Sequence, residues 1–351
     1  MKSYISLLLT FFILFYVIPY IYRYSYELVE SFENDIVPTA SFPFKNIYTD
    51  KDKKLPIIII GAFFRSDKHM ELYEEYKKKG MKFLGISSYL EFPGEIKNPY
   101  EDTYHKRHPL DYESMVNTWL HCFRNPKKYL KSNIPKMLMS ESDFIDPNKI
   151  KPDTSIKKKY DFIYICLDEG SKHNSKTCKP GWQGYNRNWD LGKKCLEIMC
   201  GEFKLKGLII GRTNCEITSK CNKVLEQKPF QPQNVFLKML QEAKFIFVPN
   251  ISDASPRVVT QAMCYDMPVL MNKNILGGWK YINEHTGEFF NNEKDIAHSI
   301  RKLLAKKYKP RQWFIDNYGK EKSGRKLLSF LKENYKEVNF NDIEYVTFKK
   351  L

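Results

Sequence analysis

The stretch Phe245–Gly287, FIFVPNISDASPRVVTQAMCYDMPVLMNKNILGGWKYINEHTG, decides how this chain folds. Its first residues, Phe245–Pro249, form a continuous apolar run, the pattern of a strand buried on both faces. The polar loop that follows ends at Pro256, which suits the first position of a helix because that position has no use for an N–H. A helix over Pro256–Tyr265 stops at Asp266, and a second apolar strand covers Pro268–Met271. A Gly-Gly loop and a Thr-Gly turn complete the stretch. Strand, loop, helix N-terminus, strand and glycine-rich loop is how an α/β sheet builds a phosphate or nucleotide site at its carboxyl edge.

The same alternation extends in both directions. Tyr160–Leu167 and Leu205–Gly211 read as strands, with the long polar loop Asp168–Asn188 after the first of them. A helix starts at Asn188 or Asp190 and runs through Met199, with Leu191, Cys195, Leu196 and Met199 on one face. Further helices are expected over Gln233–Ala243, Asp295–Leu304 and Arg311–Tyr335. Nearer the amino terminus, Pro56–Ala62 and Met81–Ile86 are apolar strands flanking a helix from Asp67 to about Gly80. Tyr112–Phe123 has helical spacing, Ile134–Met139 is a strand, and the Pro- and charge-rich segment Glu91–Pro109 is an irregular loop. Asp143–Pro152 looks like a crossover linker. Parallel strands need crossovers, and those are usually helices. The expected architecture is therefore α/β, with two doubly wound Rossmann-like domains facing a cleft. Residues 55–150 and 151–335 form the domains, and a tail covers 336–351.

Before the first domain lies the stretch Ser6–Ile21, SLLLTFFILFYVIPYI, inside the uncharged run Ser3–Tyr22. A helix needs about 20 such residues to span a bilayer core, so residues 1–23 are expected to be a transmembrane anchor. Tyr16, Tyr20 and Tyr22 sit where an interfacial aromatic belt would lie. A cleaved signal peptide is the competing expectation, but no small-x-small cleavage site is evident before Tyr26. Residues 24–54, with mixed charge, Pro38 and Pro43, read as a stem. A single-pass type II arrangement with a lumenal catalytic region is expected, with a cytosol-facing one as the alternative. One glycosylation sequon, Asn250-Ile251-Ser252, falls inside the decisive stretch; either folding buries it before it is used or the domain faces the cytosol.

The chain has 351 residues and a formal net charge of +16. Its Lys residues are dispersed, with no block of five or more basic residues, and no RNA-binding, zinc-finger or helix-turn-helix signature occurs. Nucleic acid is therefore not expected as a partner; an anionic substrate or a membrane surface fits the charge better. No G-x-G-x-x-G follows Ile60 or Ile210, which argues against a dehydrogenase. The eight cysteines show no C-x-x-C pair or zinc spacing. Cys166 and Cys264 lie in apolar segments as small core residues. A disulfide among Cys178, Cys195, Cys200, Cys215 and Cys221 would suit a lumenal setting, though the sequence does not pair them.

Within the decisive stretch the motifs fall in a fixed order: Pro249-Asn250, then Asp253, eight positions on Gln261-Ala262-Met263, then Asp266-Met267-Pro268-Val269-Leu270, Gly277-Gly278 and Thr286-Gly287. This series resembles the carboxyl-terminal domain of the group 1 or family 4 glycosyltransferases of the GT-B fold. The resemblance implies a hexosyltransferase-like enzyme that moves a sugar from a nucleotide-sugar donor to a carbohydrate, glycoprotein or glycolipid acceptor. It also implies retention of anomeric configuration, no cofactor and no metal. Two departures stand out. The family's first Glu, which contacts the donor sugar, is Asp253 here, one methylene shorter. Its second, which accepts from the ribose hydroxyls, is Gln261, so the charge-assisted bond is gone. A catalytically inactive nucleotide- or glycan-binding protein of the same fold is the alternative.

A diphosphate needs backbone donors and positive charge. The N–H groups of residues 255–258 at a helix start supply the donors, so Ser255, Pro256 and Arg257 join the donor-binding set. Gly277 and Gly278 permit close backbone approach, and Gly211, closing its strand, is placed with them. The family also has an Arg and a Lys after the first strand of this domain. Here the loop offers Lys172, Lys176, Lys179 and Arg187, of which Arg187 and Lys179 are chosen. The expected catalytic residues are Asp253, Arg187 and, from the first domain, His121, where the family sometimes places a His near the donor sugar. His105 and His108 are the other candidates. Glu141 and Asp143, following the strand Ile134–Met139, either meet an acceptor hydroxyl or cap a turn.

Overall fold

The computed structural model describes residues 37–168, 178 and 181–348. The expected anchor over residues 1–23 lies outside the described residues, as do the beginning of the stem and Lys172, Lys176 and Lys179. Among the described residues no helix is long and apolar enough to cross a membrane.

The first sheet contains β1 (Phe44–Thr49), β2 (Lys54–Ile60), β3 (Lys82–Ile86), β4 (Thr118–His121) and β5 (Lys136–Leu138), with helix α1 (Asp67–Lys78) between β2 and β3. Strands β2 to β5 are mutually parallel and β1 is antiparallel to β2. Residues 44–49, expected in the stem, are thus a sheet strand. Phe44 and Ile47 enter the core, a signal that the neighbouring prolines and charges obscured. The Tyr112–Phe123 helix is also overturned: its second half is β4, buried at every residue. Thr118 and Trp119 are good strand formers, and pairing with β3 and β5 on both sides outweighs the local helical spacing. Residues Ile57–Ile60 of β2 are essentially inaccessible, and each such side chain contributes roughly 1.5–3 kcal/mol on burial.

The second sheet is built from β6 (Tyr160–Ile165), β7 (Gly207–Ile210), β8 (Leu225–Lys228), β9 (Ala243–Val248), β10 (Val269–Asn272) and β11 (Gly287–Phe290). All are parallel, in the order β11-β10-β9-β6-β7-β8. Helices α2 (Trp182–Asn186), α3 (Trp189–Gly201), α4 (Gln233–Gln241) and α5 (Arg257–Cys264) lie between these strands, and α6 (Ile296–Ala305) follows β11. Successive crossovers diverge between β6 and β9, and the crevice at that switch point is where open α/β sheets bind ligands.

The carboxyl-terminal helix is not continuous. It breaks at Tyr318–Gly319 into α7 (Pro310–Asn317) and α8 (Lys320–Asn334). Phe314 of α7 packs into the second domain, whereas Leu327, Leu328 and Leu331 of α8 join Ile57 and Ile59 under the first sheet. The final strand β12 (Val346–Thr347) pairs antiparallel with β1. Residues 320–348, expected as the end of the second domain and a tail, therefore complete the first domain.

Candidate active site

Asp253 and Arg187 meet at the carboxyl edge of the second sheet. Asp253 sits in the loop between β9 and α5, and Arg187 follows α2 directly. Arg187 Nη1 donates to Asp253 Oδ2 at 2.6 Å, and Asn250 Nδ2 donates to the same oxygen at 2.9 Å. The main chain beneath them is fixed as well. The Tyr164 hydroxyl donates to the Arg187 carbonyl at 2.9 Å, and the Ile251 N–H donates to the Asn186 carbonyl at 3.1 Å. Together they line a cleft of about 530 Å³ whose walls include Leu167, Ser255, Pro256, Arg257 and Gln261.

Helix α5 points its amino end into this cleft. Pro256 is its cap and Arg257 its first residue, one position later than expected, which is the usual play at helix ends. The Arg257 and Val259 N–H groups donate to the Ser255 and Pro256 carbonyls, and the amino end of the helix carries partial positive charge, so the cleft floor favours an anion. Arg257 is exposed and adds full charge at the rim. Ser255 turns away toward the first domain, where its hydroxyl accepts the Ser142 N–H at 3.0 Å and meets the Ser142 hydroxyl at 2.8 Å.

The two glycines stand behind the loop and do not line the cleft. A Cβ on Gly277 would lie 2.0 Å from the Ala254 carbonyl oxygen, and one on Gly278 would lie 2.3 Å from Pro256 Cγ. Gly278 also has φ of +76°, where side chains are strained. Both support the loop between β9 and α5 from beneath. Gly211 likewise packs its backbone on Cys166 and Leu167 at the end of β7.

His121 ends β4, facing the Gly-Gly turn: the Trp279 Nε1–H donates to the neighbouring Cys122 carbonyl at 2.9 Å. Its ring is buried and Nδ1 has no partner. Burial, reinforced by the charges of Lys280 and Lys136, lowers its pKa to about 4, so the imidazole is neutral at physiological pH. His105 stacks on Phe63 at 4.1 Å.

Several site residues carried no signal strong enough to be found in the sequence. Lys280, just after the Gly-Gly pair, donates to Asp143 Oδ2 at 2.6 Å across the domain boundary, with side chains 7% and 2% exposed. The Tyr281 hydroxyl also binds Asp143. Asp143 additionally completes a capping box with Ser140, so its capping expectation holds while its carboxylate is consumed by protein partners. Glu141 pairs with Lys45. Arg212 is fully buried after β7, its Nε on Cys166 Sγ at 3.1 Å and its guanidinium 4.8 Å from the Trp189 ring centroid. Disulfides join Cys178 to Cys215 and Cys200 to Cys221. Cys195, a disulfide candidate by sequence, is a free core thiol. The sequon Asn250 is buried with its amide on Asp253. Among the described residues no cluster of His, Cys, Asp or Glu could hold a metal ion.

No family model matches the chain, and no curated protein matches it. Solved structures do. Anabaena HepE in complex with UDP superposes with a TM-score of 0.56 at 10% identity, over 78% of this chain and 78% of that one. A glycosyltransferase from Rickettsia africae gives 0.53 at 15% identity, over 79% and 77%. The pneumococcal O-GlcNAc transferase GtfA, solved with UDP and GlcNAc, gives 0.51 at 10% identity, over 77% of this chain and 54% of that one. The fold is the GT-B fold. At these identities the likeness is one of architecture, and this chain spans about half the length of GtfA.

Proposed function

We propose that this protein is a glycosyltransferase that moves a sugar from a nucleoside-diphosphate donor to a carbohydrate-bearing acceptor, with retention and without a metal. The observation that carries the proposal is the Arg187–Asp253 pair at the mouth of a cleft floored by the α5 amino end. In the reaction the bond from the anomeric carbon to the diphosphate oxygen breaks, the acceptor hydroxyl oxygen takes its place, and the hydroxyl proton passes to the departing diphosphate. Negative charge develops on the departing diphosphate, where Arg187, Arg257 and the α5 N–H groups would receive it. Preorganised donors of this kind are usually the largest single contribution to catalysis. Asp253 would then anchor donor-sugar hydroxyls through Oδ1, which takes no hydrogen bond from the described residues. Gln261 would meet the ribose through its amide, and the neutral His121 would sit toward the sugar from the first domain.

The acceptor would enter from the side of the first domain. Two disulfides in one domain fit an oxidising compartment, which favours the lumenal placement with the amino-terminal segment as anchor. The neutral Gln261 supports one competing reading, a nucleotide-binding protein of this fold without transfer activity. A panel of UDP-, GDP- and ADP-sugars tested for binding and hydrolysis by the full chain separates the two. Binding and turnover are expected, with Arg187→Ala lowering turnover about 100–1000-fold. Failure of every donor to bind would refute the donor site, and binding without turnover would favour the competing reading.

A further inference from the structure

One loop of the first domain, residues 89–101, reaches across the domain boundary and grips both shoulders of the Arg187–Asp253 pair. On the Arg187 side, Asn98 Nδ2 donates to the Asn186 side-chain oxygen at 3.0 Å and to the Trp182 carbonyl at 3.1 Å. Trp182 Nε1 donates to Glu101 Oε2 at 2.5 Å, and Glu101 Oε1 also accepts the Tyr89 hydroxyl at 2.6 Å. On the Asp253 side, the Ser252 hydroxyl donates to Glu91 Oε1 at 3.2 Å. The shoulders are tied to each other by the Ile251 N–H on the Asn186 carbonyl. Apolar packing follows the same route, because Ala254 and Trp182 pack within the core of the first domain.

None of these polar groups is at the surface. Glu91, Asn98, Asn186 and Ser252 are all buried. Glu91 Oε2 has no hydrogen-bond partner, and burial raises the pKa of this carboxyl against its own backbone N–H, the Ser252 hydroxyl, and the N–H and charge of Lys97, which would lower it. A buried carboxyl with an unpaired oxygen is costly to keep. A loop that only closed the first domain would gain nothing from one placed against the loop that carries Asp253.

We propose that loop 89–101 is a clamp that assembles the donor-side ion pair, with Asn98 and Glu91 as its positioning residues. Asn98 sets the end of α2 and hence the direction of Arg187. Glu91 sets Ser252 and hence the depth of Asp253. The clamp makes donor binding depend on the first domain, so that a donor is held only when the acceptor side is in place. Its consequence for donor binding rests on the donor-site reading above, whereas its geometry does not.

Backbone hydrogen exchange on the unliganded full chain tests the clamp without any ligand. Asn98→Ala and Glu91→Ala should each speed exchange of the Ile251 amide by about 10-fold, the effect of losing one to two buried hydrogen bonds on local opening. Glu91→Gln, which keeps an acceptor for Ser252, should restore exchange to within about 2-fold of the native rate. Amides of β9 should not change. An unchanged Ile251 rate in both alanine variants, or an equal acceleration across β9, would overturn the clamp. UDP, GDP and ADP binding to the same proteins should weaken about 10-fold in Asn98→Ala, corresponding to one such bond. If the native chain binds none of these nucleotides, the donor reading falls while the Ile251 rates still decide the clamp.

Discussion

Replacing Lys280 by Met should destabilise the chain by about 3 kcal/mol and, in the same protein, raise the pKa of His121. The Lys280 ammonium and the Asp143 carboxylate are 2.6 Å apart and nearly inaccessible. At an effective dielectric of about 20, two unit charges at that distance attract by about 6 kcal/mol. Dehydration opposes the attraction: burial lowers the Lys280 pKa even though Asp143 pulls it up. The intact pair therefore adds little net stability, whereas stripping one partner from a buried pair costs about 3–5 kcal/mol. Lys280→Met falls at the lower end, because Asp143 keeps the Tyr281 hydroxyl and the Ser140 N–H. Asp143→Asn falls at the upper end. It leaves the ammonium with the rings of Tyr281 and Tyr318, whose centroids lie 5.4 and 5.3 Å away. The double variant should cost less than the sum, because neither charge is then stranded. Denaturant unfolding of the full chain measures all three, and an NMR titration of His121 supplies the second readout. The sign follows from charge: Lys280 helps hold the imidazole at about 4, so its removal moves the titration up, toward but short of the ordinary value because burial persists. A loss below about 1 kcal/mol with an unmoved His121 titration would refute the reasoning.

Two further substitutions probe the loop and helix that carry the proposed donor site. Gly277→Ala places a methyl 2.0 Å from the Ala254 carbonyl oxygen, and since backbone cannot rotate away as a side chain can, the loop must shift. A stability loss of roughly 1–3 kcal/mol and weakened nucleotide binding are expected by thermal melting and calorimetry, and a native-like melt with native affinity would contradict the packing. Gln261→Glu restores a charged acceptor for ribose hydroxyls, and charge-assisted bonds are worth about 1 kcal/mol more than neutral ones. UDP binding should tighten about 5-fold, and equal or weaker binding would place the ribose elsewhere.

Much of the second domain was legible because a parallel sheet buried on both faces writes itself as apolar runs, as in Phe162–Tyr164 and Phe245–Val248. Asp253 was legible as the residue after a strand at the switch point of that sheet, whereas Arg187, which follows α2 and not a strand, was chosen from the resemblance and not from local pattern. The first domain was harder. β4 is only four residues long and carries helical spacing on its amino side, so local pattern and long-range pairing disagreed. β1 lay among prolines and charges, and α8 continued the spacing of α7 while crossing to the other domain. Lys280 and Asp143 could not be matched at all, because a charge pair between distant segments leaves no periodicity to read.

What most of these unread features share is the boundary between the two sheets. Ala254, from the donor loop, is buried in the core of the first domain. Asp143, from the first domain, is the counter-ion of a lysine beside the Gly-Gly turn. Its carbonyl also accepts the Gly319 N–H and the Ser323 hydroxyl, where α8 begins. The loop that holds Asp253 is thus fixed by contacts from both domains, and its own sequence specifies only part of its position. Sequence motifs can therefore place the proposed donor site on the second sheet but not its working geometry, which depends on how residues 89–101, 140–143 and 277–281 meet. Substitutions that loosen the first domain should accordingly be felt at the Arg187–Asp253 pair before they are felt in the strands that carry it.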